Sequence, residues 1–310
     1  MFSVVFPGQG SQIVGMGQEF YNKHKIVKNL FEEADDIFGF SISKLILKGP
    51  KEELNLTENT QPAIFLVSYS IFQAIKIEFG IDLNKANFFA GHSLGEYTAL
   101  ASAEVLSFPE TLKLLQIRGR SMQNAVPKGE GGMVAVLGSD IKNIENILEE
   151  NKNDYECFIA NDNSNGQIVV SGNTKEIDKF IINLKSKGIK NIKLPVSAPF
   201  HCKLMKKSTE IMKEEIKKLE LKESKNTLIS NVTGVKIDNT ESIRELLVQQ
   251  IESRVRWRES VQFMISKGTK QFIEIGPGKV LSGLIKRINK DIKVSAINNE
   301  EDIRSISIND

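Results

Sequence analysis

Two cysteines, three histidines and one tryptophan among 310 residues narrow the chemistry of this chain before any motif is read. Cys157 and Cys202 lie far apart and fit no metal-ligand spacing, which argues against a zinc site and a disulfide framework and reads as reduced thiols of a cytoplasmic protein. No stretch approaches the roughly 20 apolar residues that a bilayer crossing needs, so no membrane partner is expected. Charge of one sign is lacking too. The 41 basic and 39 acidic residues leave a formal net charge of +2 and are intermixed, without the basic face of a nucleic-acid binder. The first residues carry no basic n-region and read as a first strand, so no signal peptide is expected. Repeats and low-complexity segments are also missing. The length is enough for one large domain or two unequal ones.

Against that background one stretch stands out. Gly91-His92-Ser93-Leu94-Gly95 follows a short apolar run of strand character at 86–90 and precedes a helix-permissive segment at 96–103. Strand, Gly-x-Ser-x-Gly, helix is the context in which this pattern marks a nucleophile elbow. Such a turn lifts the serine oxygen out of the sheet edge. A side chain at 91 or 95 would crowd the neighbouring strand and helix. The helix start adds unpaired N–H groups and a positive dipole end.

Short apolar runs alternate with helical patterns along the rest of the chain. A first strand at 3–6 leads into the loop Pro7-Gly8-Gln9-Gly10-Ser11-Gln12, and helices are expected near 18–38, 62–79 and 109–124. Gly129-Glu130-Gly131-Gly132 reads as a flexible joint. Beyond it, strand, helix, two paired strands, helix and strand fill about seventy residues, the β-α-β-β-α-β order of a ferredoxin-like unit. We therefore expect an α/β core of residues 1–127 and 197–310 interrupted by an inserted subdomain at 128–196. After Pro195 helices at 204–221, 241–250, 257–267 and 280–288 accompany strands at 227–231 and 271–275. Gly276-Pro277-Gly278-Lys279 lacks the spacing of a phosphate loop. Lys185, Lys187, Lys190 and Lys193 read as scattered exposed charges.

A serine hydroxyl needs a base, and only three histidines are available. His24 sits in a polar helical stretch and is expected at the surface. His92 adjoins Ser93, where neighbours on a sharp turn point apart, so it orders the elbow or lines the cleft. His201 lies in the loop Ser197-Ala198-Pro199-Phe200-His201-Cys202, at a strand end where α/β folds place catalytic residues, and is the preferred base. No motif recommends an acid to orient it: Asp140, Asp154 and Asp178 fall in the inserted unit, which leaves a hydrolase triad incomplete. Oxyanion donors are expected from the N–H of Leu94 and from Gln9 in the glycine-rich loop, which could equally be an ordinary turn. Arg118, inside an otherwise apolar helix, meets either a carboxylate or phosphate of a ligand or a structural ion-pair partner.

These pieces together resemble the malonyl-CoA:acyl carrier protein transacylase family of bacterial fatty-acid synthesis. The matching segments are Phe6-Pro7-Gly8-Gln9-Gly10-Ser11-Gln12, Gly91-His92-Ser93-Leu94-Gly95-Glu96, Gln116-Ile117-Arg118-Gly119-Arg120, Pro199-Phe200-His201-Cys202, Ile229-Ser230-Asn231-Val232-Thr233 and Glu274-Ile275-Gly276-Pro277-Gly278-Lys279-Val280-Leu281. They run in the family's order nearly from end to end. The resemblance implies a hydrolase-like α/β core with a mostly parallel sheet and an inserted ferredoxin-like subdomain. It implies ping-pong transfer of malonyl from malonyl-CoA to the phosphopantetheine thiol of acyl carrier protein. Ser93 would carry the malonyl ester, His201 would be base and then acid, and Arg118 would pair with the malonyl carboxylate. Gln9 and Leu94 would supply oxyanion N–H groups, and the main-chain carbonyl of Gln250, beside Gln249, would replace the triad acid. His92 would be a cleft-lining helper, and Phe200 is expected to favour malonyl over methylmalonyl. No metal, redox or other cofactor, no nucleic acid and no membrane are expected, and the protein is read as a cytoplasmic monomer.

Overall fold

Apolar segments at both ends and in the middle of the chain pair side by side into one parallel sheet. In the computed structural model, which describes residues 1–196, 198–304 and 306, the strands are β1 Phe2–Phe6, β2 Phe88–Gly91, β3 Gly131–Leu137, β4 Cys157–Ser164, β5 Gln167–Asn173, β6 Lys190–Lys193, β7 Thr227–Leu228, β8 Gln271–Ile275 and β9 Lys293–Ile297. Five of them form the parallel sheet in the order β7-β2-β1-β8-β9. Its two faces are both buried, as parallel sheets require. Val4 and Phe6 pack on one face against the helix Thr57–Ile77, through Phe65 and Phe72 among others. Val5, between them, packs on the other against Trp257 and Leu281. The period of two along β1 sends successive side chains to opposite cores.

The remaining four strands make a separate antiparallel sheet in the order β4-β5-β3-β6. With the helices Ile141–Glu150 and Thr174–Ser186 this is the ferredoxin-like arrangement expected from the sequence. Here too alternate residues divide the work. Val134 and Val136 face the unit's own helices with Ile144, Ile177 and Phe180. Met133 and Ala135 join the main core. Further ties come from β4, where Asp162 N–H donates to the Val255 carbonyl at 2.9 Å and Val255 N–H to Ala160 at 2.8 Å. Arg258 grips both carboxylate oxygens of Asp162.

Several local expectations are corrected. The helical stretch at 18–38 is broken at His24, whose extended backbone separates Gln18–Lys23 from Lys25–Phe38. His24 is buried, with its ring between Glu78 and Glu300, because partners distant in sequence close over it. Gly131 and Gly132 are the first residues of β3 and no loose joint; a Cβ on Gly131 would sit 2.1 Å from Pro199 Cδ, so the glycine permits a close approach. The helix of the main core begins at Thr57, earlier than expected, and tolerates Pro62 near its start. Among the described residues no helix is long and apolar enough to cross a membrane.

Candidate active site

Ser93 stands where β2 turns into the helix Leu94–Ser102, at the C-terminal edge of the parallel sheet. Its backbone is at φ 53° and ψ −109°, a region that a serine occupies only when its surroundings force it. Asn231 supplies part of that force, its Oδ1 accepting the Ser93 N–H at 2.7 Å and its Nδ2 donating to the Gly91 carbonyl at 2.7 Å. The flanking glycines supply the rest. A Cβ on Gly91 would fall 1.9 Å from the Gly95 carbonyl carbon, and one on Gly95 would fall 2.2 Å from the Phe6 oxygen. Gly91→Ala should therefore destabilise the fold by about 3 kcal/mol or more, measured as a lower urea midpoint; an unchanged midpoint would show that strand and helix have room to part.

His201 faces the serine from the loop that precedes the 3-10 turn Lys203–Met205. Ser197, the first residue expected in that loop, lies outside the described residues. The His201 backbone also has a positive φ, 59°. Its Nε2 is 2.8 Å from Ser93 Oγ and its Nδ1 is 2.9 Å from the Gln250 carbonyl. A carbonyl only accepts, so Nδ1 carries the proton and Nε2 presents its lone pair to the serine. Burial, reinforced by the nearby Arg118 charge, pushes the His201 pKa down to about 3. The ring is thus neutral in the free protein. Two consequences follow for pH. The acid limb of kcat/KM should lie well below the ordinary histidine value of 6.5 and move up toward it in an Arg118→Met variant assayed with acetyl-CoA. Unfolded His201 takes up a proton below 6.5 while the folded ring does not, so this residue makes stability fall as pH drops from there toward the folded value.

Arg118 completes the cluster from the helix Phe108–Gln123. Gly119 lets that helix touch the helix Thr57–Ile77, since a Cβ there would be 2.4 Å from the Thr57 oxygen. This contact brings the guanidinium to Gln61. Its two terminal nitrogens donate to Gln61 Oε1 at 2.7 Å, Gln250 Oε1 at 2.8 Å and Ser93 Oγ at 3.1 Å, and its carbon lies 5.2 Å from the Tyr97 ring centre. Arg118 is only 1% exposed. Yet among the described residues no carboxylate touches it.

The cluster lines a chamber of about 110 Å³ whose wall also includes Gln9, His92, Leu94, Met133 and Phe200. Gln9 hangs from the loop after β1, with its Nε2 3.4 Å from Thr57 Oγ1. Leu94 is the first residue of the elbow helix, where an N–H has no intrahelical acceptor. His92 Nε2 meets Asn163 Oδ1 at 2.8 Å, which ties the elbow to β4. Burial lowers the His92 pKa. A wider trough of about 850 Å³ reaches His201 from outside, past Cys202, Lys203, Arg254 and Arg256. The acids weighed in the sequence are elsewhere: Asp140 caps the helix Ile141–Glu150 and Asp178 pairs with Lys193. Gln61, Glu96, Asn163 and Asn231 were not singled out from sequence, although Glu96 and Asn231 stand inside quoted motifs.

The chain matches the acyl transferase domain over residues 3–303. It is 42% identical over 301 residues to the malonyl CoA-acyl carrier protein transacylase of Bacillus subtilis, covering 96% of this chain and 94% of the relative. The chain belongs to the malonyl-CoA:acyl carrier protein transacylase family. Among solved structures of the family, the acyl-carrier-protein-S-malonyltransferase of Bartonella henselae superposes with a TM-score of 0.95 at 42% identity, over 98% of this chain and 97% of that one. A malonyl-transacylase in complex with a type II polyketide acyl carrier protein superposes at 0.94 with 37% identity, over 98% of both chains. The fold expected from the sequence is the fold of this family.

Proposed function

We propose that Ser93 carries a malonyl group from malonyl-CoA to the phosphopantetheine thiol of acyl carrier protein, the reaction that supplies fatty-acid synthesis. Ser93 Oγ attacks the thioester carbonyl while His201 Nε2 takes its proton. The N–H groups of Gln9 and Leu94 hold the developing oxyanion. The C–S bond breaks, and CoA leaves with the proton from His201. In the second half the carrier thiol gives its proton to the same nitrogen and attacks the seryl ester, and Ser93 recovers the proton. The Gln250 carbonyl keeps the ring oriented in both halves. Protons and electrons balance without a metal or redox cofactor.

The observation that carries this reading is Arg118, a buried cation that no carboxylate touches among the described residues, 3.1 Å from the nucleophile. An unpaired buried charge is too costly to keep without a partner, and a guanidinium fork suits a carboxylate. The malonyl carboxylate is that partner. Once bound, it offsets the charge that helps depress His201, so the base strengthens when the carrier thiol must be deprotonated. His92 and Phe200 line the acyl chamber, and the outer trough accommodates the pantetheine arm. We further assign residues 1–127 and 197–310 to the catalytic core and 128–196 to the inserted unit, and take the enzyme to work as a cytoplasmic monomer without membrane or nucleic acid.

The test is to load the enzyme with malonyl-CoA, remove CoA and add carrier protein. Malonyl should appear on the carrier thiol much faster than free malonate appears in water. Faster release to water would make the chain a serine hydrolase and overturn the proposal.

A further inference from the structure

A second buried charge-bearing side chain stands three residues after the nucleophile and has no step in the mechanism. Glu96, in the first turn of the elbow helix, is 2% exposed, and among the described residues it forms no ion pair. Burial pushes its pKa up to about 7. A carboxyl is expensive to bury, so its contacts must account for its presence. Its Oε2 accepts two N–H groups, from Gln250 Nε2 at 2.6 Å and from the backbone of Asn231 at 3.1 Å.

Gln250 is the link that matters. Its side-chain oxygen receives Arg118 at 2.8 Å, and its Nε2 also reaches the Ser93 carbonyl at 3.1 Å. The two ends of an amide are nearly the same size, and only its partners decide which way it points. Arg118 can only donate. The ionised Glu96 carboxylate can only accept. Between them the Gln250 amide has one orientation that satisfies both; the flipped amide would set donor against donor at Arg118 and acceptor against acceptor at Glu96.

We infer that Glu96 is a positioning residue for acyl selection: by fixing the Gln250 amide it holds the Arg118 guanidinium where the acyl carboxylate must meet it. The inference rests on the reading of Arg118 given above. A carboxyl that merely braced the elbow would affect every acyl group alike, whereas a carboxyl acting through Gln250 and Arg118 acts on groups that end in a carboxylate.

The experiment measures kcat/KM with malonyl-CoA and with acetyl-CoA, using carrier protein as acceptor. The variants are Glu96→Ala, Glu96→Gln, Gln250→Leu, the Glu96→Ala/Gln250→Leu pair, and Arg118→Ala as reference. Gln250→Leu keeps the main-chain carbonyl that holds His201. Glu96→Ala should lower the malonyl-to-acetyl ratio about tenfold, the scale of one hydrogen bond to a charged group. Glu96→Gln, which keeps an accepting oxygen, should restore the ratio to within about threefold. Gln250→Leu should lower it as Glu96→Ala does, and the double variant should lower it no further, because contacts in one chain do not add. Equal losses for both acyl groups in Glu96→Ala, or an undiminished effect of that change in the Gln250→Leu background, would overturn the inference. Should Glu96→Ala fail to fold, an unchanged ratio in Gln250→Leu would overturn it instead. If Arg118→Ala depresses both acyl groups alike, the reading of Arg118 falls; if that variant is selective and Glu96→Ala is not, only the role of Glu96 falls.

Discussion

Ser93→Ala should leave the protein folded and unable to take up malonyl. Intact mass after mixing with malonyl-CoA should show the adduct on the parent protein and none on the variant, and transfer to carrier protein should fall at least about 10⁴-fold. The geometry makes the loss this large. Ser93 Oγ is the oxygen to which both His201 Nε2, at 2.8 Å, and the Arg118 guanidinium, at 3.1 Å, converge. Removing it takes away the atom that attacks, while the elbow itself is held by Asn231 and the two glycines. Stability should change by no more than about 1–2 kcal/mol, the cost of leaving the partners of one hydroxyl unsatisfied. An adduct that persists in the variant would move the nucleophile elsewhere.

Arg118→Ala should separate two acyl groups that differ by one carboxylate. Truncating one member of a buried charge pair costs about 2–5 kcal/mol, so kcat/KM for malonyl-CoA should drop about 30-fold to several thousandfold. Acetyl-CoA has no carboxylate to lose and should fall less than about tenfold. The side chain is among the largest that are fully buried, and its removal leaves a void. The variant also sheds a buried charge that no carboxylate touches among the described residues, which opposes the cost of the void. Equal losses with both substrates would refute the carboxylate clamp.

The parts of this arrangement visible in the sequence were those carried by scarce or locally patterned residues. Three histidines made the search for a base short, and Gly-x-Ser-x-Gly between strand and helix announced a turn that the backbone of Ser93 adopts. Arg118 was conspicuous because its neighbours in sequence are apolar. What stayed hidden depends on contacts across the chain. Gln61 reaches Arg118 across 57 positions and carries no local signal, while Asn231 reaches Ser93 across 138 and shows in the sequence only as part of a matching segment, without a role. His24 was misplaced for the same reason, since Glu300, one of the two carboxylates that enclose it, is 276 positions away. The glycines at 131 and 132 look like flexibility in the sequence, whereas the close approach of Pro199 explains the first of them. Among strands, the fully buried β8 has the bounds that its sequence pattern predicts, while the half-exposed edge strand β9 carries no such pattern.

Arg118 is buried against the amide oxygens of Gln61 and Gln250, and among the described residues no carboxylate touches it. On the proposed reading, a malonyl ester on Ser93 would bring a carboxylate to that guanidinium, and a group that binds only the folded state stabilises it. The seryl ester would then be both a reaction intermediate and a contributor to the stability of the fold. Malonyl-loaded protein should melt at a higher temperature than the empty form, and acetyl-loaded protein should not share the gain. The carrier protein would then remove, along with its cargo, the charge that stabilised the loaded form.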